Sequence, residues 1–190
     1  MSGAVRRPMT MEAFLAWEER QELRWEFDGF APVAMTGGSN EREAIGNNLR
    51  ALLLSALRGK RCSTRGPTMK IEAAGRIRYP DAFVFCSVAV RGQTVIADPV
   101  VVFEVLSSST SRIDRIEKLR EYQATPSIRR NVLLEQDAIA ATVYLKRDDV
   151  WTVSVLTGEA VLAMPEIATE ISLADIYRDV ELPPDDAAEG

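Results

Sequence analysis

The stretch Val100-Val101-Val102-Phe103-Glu104-Val105-Leu106 decides the fold of this 190-residue chain. It is apolar throughout except at Glu104, and a continuous rather than alternating apolar run predicts a strand buried on both faces at the centre of a sheet. Glu104 shares its side of that strand with Val102 and Leu106. An ionised carboxylate withdrawn from water costs several kcal/mol unless a cation or hydrogen-bond donors compensate. Glu104 therefore either sits at a wet strand end or has a partner. Upstream, Asp81 follows Pro80 and heads a second apolar run, Ala82-Phe83-Val84-Phe85. A Pro-Asp pair is also an ordinary turn dipeptide. Two carboxylates converging from neighbouring strands can hold Mg²⁺ or Mn²⁺ through oxygen ligands and leave the remaining positions to water and a phosphate oxygen.

Composition narrows the chemistry. The chain has no histidine, which removes Ser-His-Asp and Cys-His catalysis and His-ligated zinc and leaves acid-base and metal chemistry to Asp, Glu, Lys and Tyr. Its two cysteines, Cys62 and Cys86, lack metal-ligand spacing and are expected to be reduced thiols. The net charge of −5 runs against nucleic-acid binding, but the sum hides basic clusters at Arg58, Lys60, Arg61 and Arg65 and at Arg112, Arg115, Lys118 and Arg120. The length suits one domain, placed at 10–182 between a disordered N-terminus (1–9) and an acidic tail (183–190). No run is long enough to span a membrane and no apolar signal core follows Arg6 and Arg7, so a cytoplasmic protein is expected.

Around the central strand the pattern predicts a mixed α/β domain. Thr10 caps a helix to about Glu22, and Asp28-Gly29 joins Leu23–Phe27 to Phe30–Met35 as a hairpin despite Pro32. Ile45, Leu49, Leu52, Leu53 and Leu57 recur at helical spacing and mark the main core helix, which Gly59 stops. Ser63–Ala73, with an irregular start at Gly66-Pro67, and Ile77–Phe85 read as strands. The run Ser107–Ser111 caps a helix from about Arg112 to Ala124. Asn131–Gln136, Ala140–Leu145, Val150–Leu156 and Ala160–Met164 read as further strands, and Leu173–Tyr177 as a last short helix. On the helix after the central strand, Asp114, Lys118 and Glu121/Tyr122 share a face. Lys118 can reach toward Glu104 from there, or form a surface i,i+4 pair with Asp114 worth a few tenths of a kcal/mol.

Pro80-Asp81, then Glu104-Val105-Leu106-Ser107-Ser108-Ser109-Thr110, then Asp114 and Glu117-Lys118-Leu119-Arg120-Glu121-Tyr122 together resemble the Uma-type restriction endonuclease family of the PD-(D/E)XK nuclease superfamily. Trp25-Glu26-Phe27-Asp28-Gly29, Ala34-Met35-Thr36-Gly37-Gly38-Ser39, Gly46-Asn47-Asn48-Leu49 and Val132-Leu133-Leu134-Glu135-Gln136 fall in the same order as that family's landmarks. The resemblance extends over nearly the whole chain. It implies a restriction endonuclease-like core, a mixed β-sheet flanked by helices with an N-terminal helix and β-hairpin.

It also implies a metal-dependent endonuclease that hydrolyses DNA phosphodiesters through a metal-activated water. Asp81 and Glu104 would be the metal-binding acids, with the backbone carbonyl of Val105 as a further ligand. Lys118 would serve as the catalytic lysine, because the position two residues after Glu104 is Leu106 and the lysine has moved to the next helix. Glu26 matches an acid that orients the metal or its water. Where the family commonly has a histidine, this chain has Asn40-Glu41-Arg42-Glu43. Arg42 or Glu43 would then stand in, or the protein would be a nuclease-fold molecule that binds nucleic acid or a protein partner without cutting. Cleavage of both strands is simplest in a homodimer with two sites related by a two-fold axis.

Overall fold

A computed structural model describes residues 8–35, 37–106 and 112–183, the last segment with side chains from residue 115. The expectations for the extreme N-terminus, the Ser107–Ser111 caps, the Asp114 side chain and the end of the acidic tail lie outside those residues.

Thr10 caps α1 (Met11–Glu18) by accepting the Ala13 N–H at 3.2 Å. The helix stops short of the expected Glu22. Its Phe14 is fully buried and stacks on Phe27, with ring centroids 5.1 Å apart. Phe27 belongs to β1 (Trp25–Phe27), which pairs antiparallel with β2 (Pro32–Ala34). Asp28 shapes their turn by accepting the N–H groups of Phe30 and Ala31. Ser39 then caps α2 (Asn40–Ala56), whose Ile45, Leu49 and Leu53 are fully buried.

Two stretches that read as single strands are each broken between sheets. Gly66-Pro67 separates β3 (Ser63–Arg65) from β4 (Lys70–Ala73), and Tyr79-Pro80-Asp81 separates β5 (Arg76–Arg78) from β6 (Ala82–Phe85). Proline lacks the N–H a ladder needs, so the chain leaves one sheet and enters another at both places. The second break leaves Asp81 at the mouth of β6. After the short β7 (Val95–Ile96) come β8 (Pro99–Val105), α3 (Arg112–Ala124), β9 (Arg130–Leu134), β10 (Ala140–Arg147) and β11 (Val150–Thr157). The small hairpin of β12 (Val161–Met164) and β13 (Thr169–Ser172) and the single turn α4 (Leu173–Ile176) complete the described chain.

The main sheet runs β11-β10-β9-β8-β6-β3, and a second sheet runs β2-β1-β5-β4-β7. β8 pairs antiparallel with β6 and parallel with β9, which makes the main sheet mixed and β8 interior. One face of β8 presents Val101, Phe103 and Val105 to Ile45, Leu49 and Leu53 of α2 and to Leu173 and Ile176 of α4. The other presents Val102 to a separate core with Phe83, Phe85, Tyr122 and Ile128. Glu104 points to that second side, under α3.

The cysteines correct the sequence expectation. Cys62 and Cys86 form a disulfide, with Cα atoms 4.0 Å apart. They follow directly on the Ser63↔Phe85 pair of β3 and β6, so antiparallel pairing sets them face to face. Their separation in sequence concealed this. Among the described residues no helix is long and apolar enough to cross a membrane.

Candidate active site

Asp81, Glu104, Val105, Lys118 and Glu26 all line one cavity of about 460 Å³ between the ends of the two sheets and α3. Each reaches it for a local reason. Asp81 stands at the proline break before β6, Glu104 near the end of β8, Glu26 in the middle of β1, and Lys118 on the inner side of α3.

Glu104 is buried, and its Oε1 accepts the Tyr122 hydroxyl at 2.6 Å. Burial pushes its carboxyl up to about 7, against the pull of Lys118 and of the Tyr122 hydrogen bond and with the charge of Asp81 adding to the rise. The Lys118 ammonium is the chief charge favouring the ionised form. Burial, and then the Glu104 charge, raises the Tyr122 hydroxyl well above its ordinary value, so Tyr122 remains a donor. The strand end is not wet.

Lys118 does not stand alone on a surface. Its Nζ donates to Glu26 Oε1 at 3.1 Å, and the same oxygen accepts the Tyr79 N–H at 3.2 Å. Glu26 Oε2 accepts from Arg78 Nη1 at 3.0 Å, while Nε and Nη2 of Arg78 each donate to Glu121 at 2.7 Å. Glu26, Arg78 and Glu121 are all buried. With both oxygens engaged by cations and a backbone N–H, Glu26 acts on Lys118 and fixes where its ammonium points.

Asp81 is held by donors alone. Arg42 forks onto it, Nε to Oδ1 at 3.0 Å and Nη2 to Oδ2 at 2.9 Å, and the Val105 N–H donates to Oδ2 at 2.8 Å. Burial works against the Arg42 charge, but the Asp81 hydrogen bonds hold its guanidinium above its ordinary value. Behind it, Arg50 Nη1 donates to the Asp81 carbonyl at 3.0 Å. A Cβ on Gly66 would stand 2.5 Å from Arg50 Cδ, so the missing side chain leaves Arg50 its path. Glu43, the other residue named to stand in for a histidine, is exposed, lines the same cavity and pairs with Arg50 at 3.0 Å.

Two carboxylates and a carbonyl are hard oxygen donors of the kind Mg²⁺ and Mn²⁺ take, and the buried, elevated Glu104 is a carboxyl short of positive charge. The donor set fits a divalent cation, although the seat at Asp81 is shared with Arg42. Among the described residues no group of three or more acidic, cysteine or histidine side chains is placed to hold a metal ion.

Several residues of the site were not assigned a role from sequence. Tyr122 was placed on the right helical face without a partner. Arg78 carried no signal, because its partners depend on the pairing of β1 with β5. Asn131 is fully buried on β9 and lines the cavity, and among the described residues neither of its amide atoms has a hydrogen-bond partner. An amide inside the apolar strand Arg130-Asn131-Val132-Leu133-Leu134 was its one available sign.

A mixed sheet flanked by helices, with acids at its strand ends facing a cavity, is the architecture of restriction endonuclease-like nucleases. A solved structure described as "a putative nuclease belonging to DUF820" from Anabaena variabilis has this fold. It superposes with a TM-score of 0.73 at 17% identity over 90% of this chain and 98% of that one. Residues 11–175 match the sequence model of the family described as "Uma2: Putative restriction endonuclease", and the chain belongs to that family. The uncharacterized protein slr1290 of Synechocystis sp. is 31% identical over 90% of this chain and 92% of its own length. A second protein of that organism, the uncharacterized sll1609, is 24% identical over 84% and 93%.

Proposed function

We propose that the protein is a divalent-metal-dependent endonuclease that hydrolyses phosphodiester bonds of DNA. The observation that carries this is the convergence of Asp81, Glu104 and Lys118 on one cavity from two strands and a helix. Asp81 and Glu104, with the Val105 carbonyl, would hold Mg²⁺ or Mn²⁺. Once bound, such an ion supplies Lewis acidity, polarising the phosphoryl group and making water a better nucleophile.

The chain's own residues do the rest. Tyr122 donates to Oε1 of Glu104 and thereby holds the carboxyl group in place. The Val105 N–H fixes Asp81 in the same way. Lys118, anchored by Glu26, presents a positive charge where a phosphate would develop negative charge, and a preorganised cation in a partly dry site is most effective there. Arg42 adds a guanidinium whose fork matches a phosphate as well as a carboxylate. These local cations offset the net charge of −5 at the place where a polyanion would bind.

Plasmid nicking tests the proposal. Wild-type protein is expected to nick supercoiled DNA with Mg²⁺ or Mn²⁺ and not with a chelator. Asp81→Asn and Lys118→Ala should each lower the rate at least about a hundredfold, the size of losing an electrostatic stabiliser. Equal nicking by wild type and both variants would remove the proposal.

A further inference from the structure

We infer that Arg42 is a latch on Asp81 which the phosphate of a bound nucleic acid releases, so that metal binding and nucleic-acid binding at this site are positively coupled. The inference rests on the nuclease function proposed above and concerns how that site is regulated.

The geometry is that of an ion pair already closed. The fork of Arg42 covers both oxygens of Asp81 at 3.0 and 2.9 Å, and the Val105 N–H takes a further acceptor site at 2.8 Å. A carboxylate offers about four lone-pair positions, so three of those on Asp81 are filled. A divalent cation arriving there meets a permanent positive charge in contact with its ligand. It must displace the guanidinium or bind beside it, and either choice weakens its hold.

Three features make the latch releasable. Arg42 lies in the first turn of α2, after the Ser39 cap, where the helix dipole disfavours a cation and Asp81 is the foremost of the acids, with Glu104 and Glu26, that compensate it. Its side chain is 23% exposed and lines the open cavity, so the guanidinium can turn without unpacking the core. Gly38 lies against it, and because a Cβ there would already touch Arg42 Cδ at 3.4 Å, the missing side chain leaves the arginine its room. A phosphodiester entering toward Lys118 offers the fork an alternative anion of matching shape. Once Arg42 transfers to that phosphate, Asp81 is freed for a metal. By reciprocity the metal, in taking Asp81, hands Arg42 to the nucleic acid.

Calorimetric titration of the full chain with Mn²⁺, with and without a saturating phosphorothioate DNA oligonucleotide, tests the coupling. Wild type is expected to bind Mn²⁺ at least about tenfold more tightly with the oligonucleotide present. Arg42→Met should bind Mn²⁺ about tenfold more tightly than wild type without DNA and gain little from adding it. Arg42→Lys, which keeps the charge but cannot fork, should fall between them and serves if the methionine variant does not fold. Equal Mn²⁺ affinities for wild type and the variants, or an equal gain from DNA, would overturn the latch and leave the nuclease proposal standing. Absence of Mn²⁺ binding in every protein and condition would overturn both.

Discussion

The two faces of β8 are built on opposite principles. Val101, Phe103 and Val105 on one side pack into a cluster of apolar side chains from α2, α4 and the neighbouring strands. Two residues further along the other side than Val102, Glu104 meets Tyr122 and the field of Lys118. One strand thus supplies a close-packed core and, a few ångströms away, a charged cavity. The apolar face provides stability, and its rigidity fixes the carboxylate on the reverse. The polar face spends some of that stability, because a buried acid and an unpaired amide are both costly.

Substitutions on each face sharpen the contrast. The largest effects should come from the closed face and from the ion network bracing the open one. Phe103→Ala should cost about 3–5 kcal/mol in denaturant unfolding by leaving a cavity in the core, without changing the Mn²⁺ affinity of the folded fraction. Arg78→Ala removes the shared partner of Glu26 and Glu121 and should cost about 2–3 kcal/mol, because their charge-assisted hydrogen bonds to it are lost while Lys118 stays on Glu26 and Arg76 on Glu121. It should in addition impair nicking, since Glu26 then no longer fixes Lys118. A fall in stability with full activity would separate that network from the site.

Glu104→Gln should have the opposite sign. The Glu104 carboxyl lies at about 7 in the folded chain against an ordinary 4.5, chiefly through burial. Between those values the folded protein keeps a proton that the unfolded chain has lost, so stability falls as pH rises through this range and stays lowered above it. Glutamine escapes that loss. The variant should be more stable than wild type at pH 8, on the order of 1–3 kcal/mol, with the difference fading as pH falls toward 4.5. Thermal melts at several pH values check this. The smallest effect is expected at Asn131, whose amide has no partner to lose. Asn131→Leu should be neutral to about 1 kcal/mol more stable than wild type, whereas a loss of several would mean the amide is structural.

The sequence was most legible where one residue's surroundings are set by its own neighbours. The apolar run around Glu104 announced an interior strand, Thr10 announced a helix start, and the ordered landmarks pointed to the family. It was least legible where surroundings are set by pairing. Tyr79-Pro80-Asp81 looked continuous with the strand before it, although the proline moves the chain to another sheet. The disulfide between Cys62 and Cys86 depends on the register of β3 against β6. β7 has only two residues, too few for any periodicity to mark. Glu26 was expected to orient a metal or its water, but nothing in its local sequence gives its bonds to Lys118 and to Arg78, which the antiparallel pairing of β1 with β5 brings across from another strand. Arg42 was named as a stand-in for histidine, but nothing in its local sequence gives its fork on Asp81.

The most direct test of a hydrolytic site on the polar face of β8 is metal-dependent plasmid nicking by Glu104→Gln beside wild type at pH 8. The expected result is a variant that is folded and more stable yet does not nick above the chelated control. Nicking by the more stable variant at the wild-type rate would contradict it.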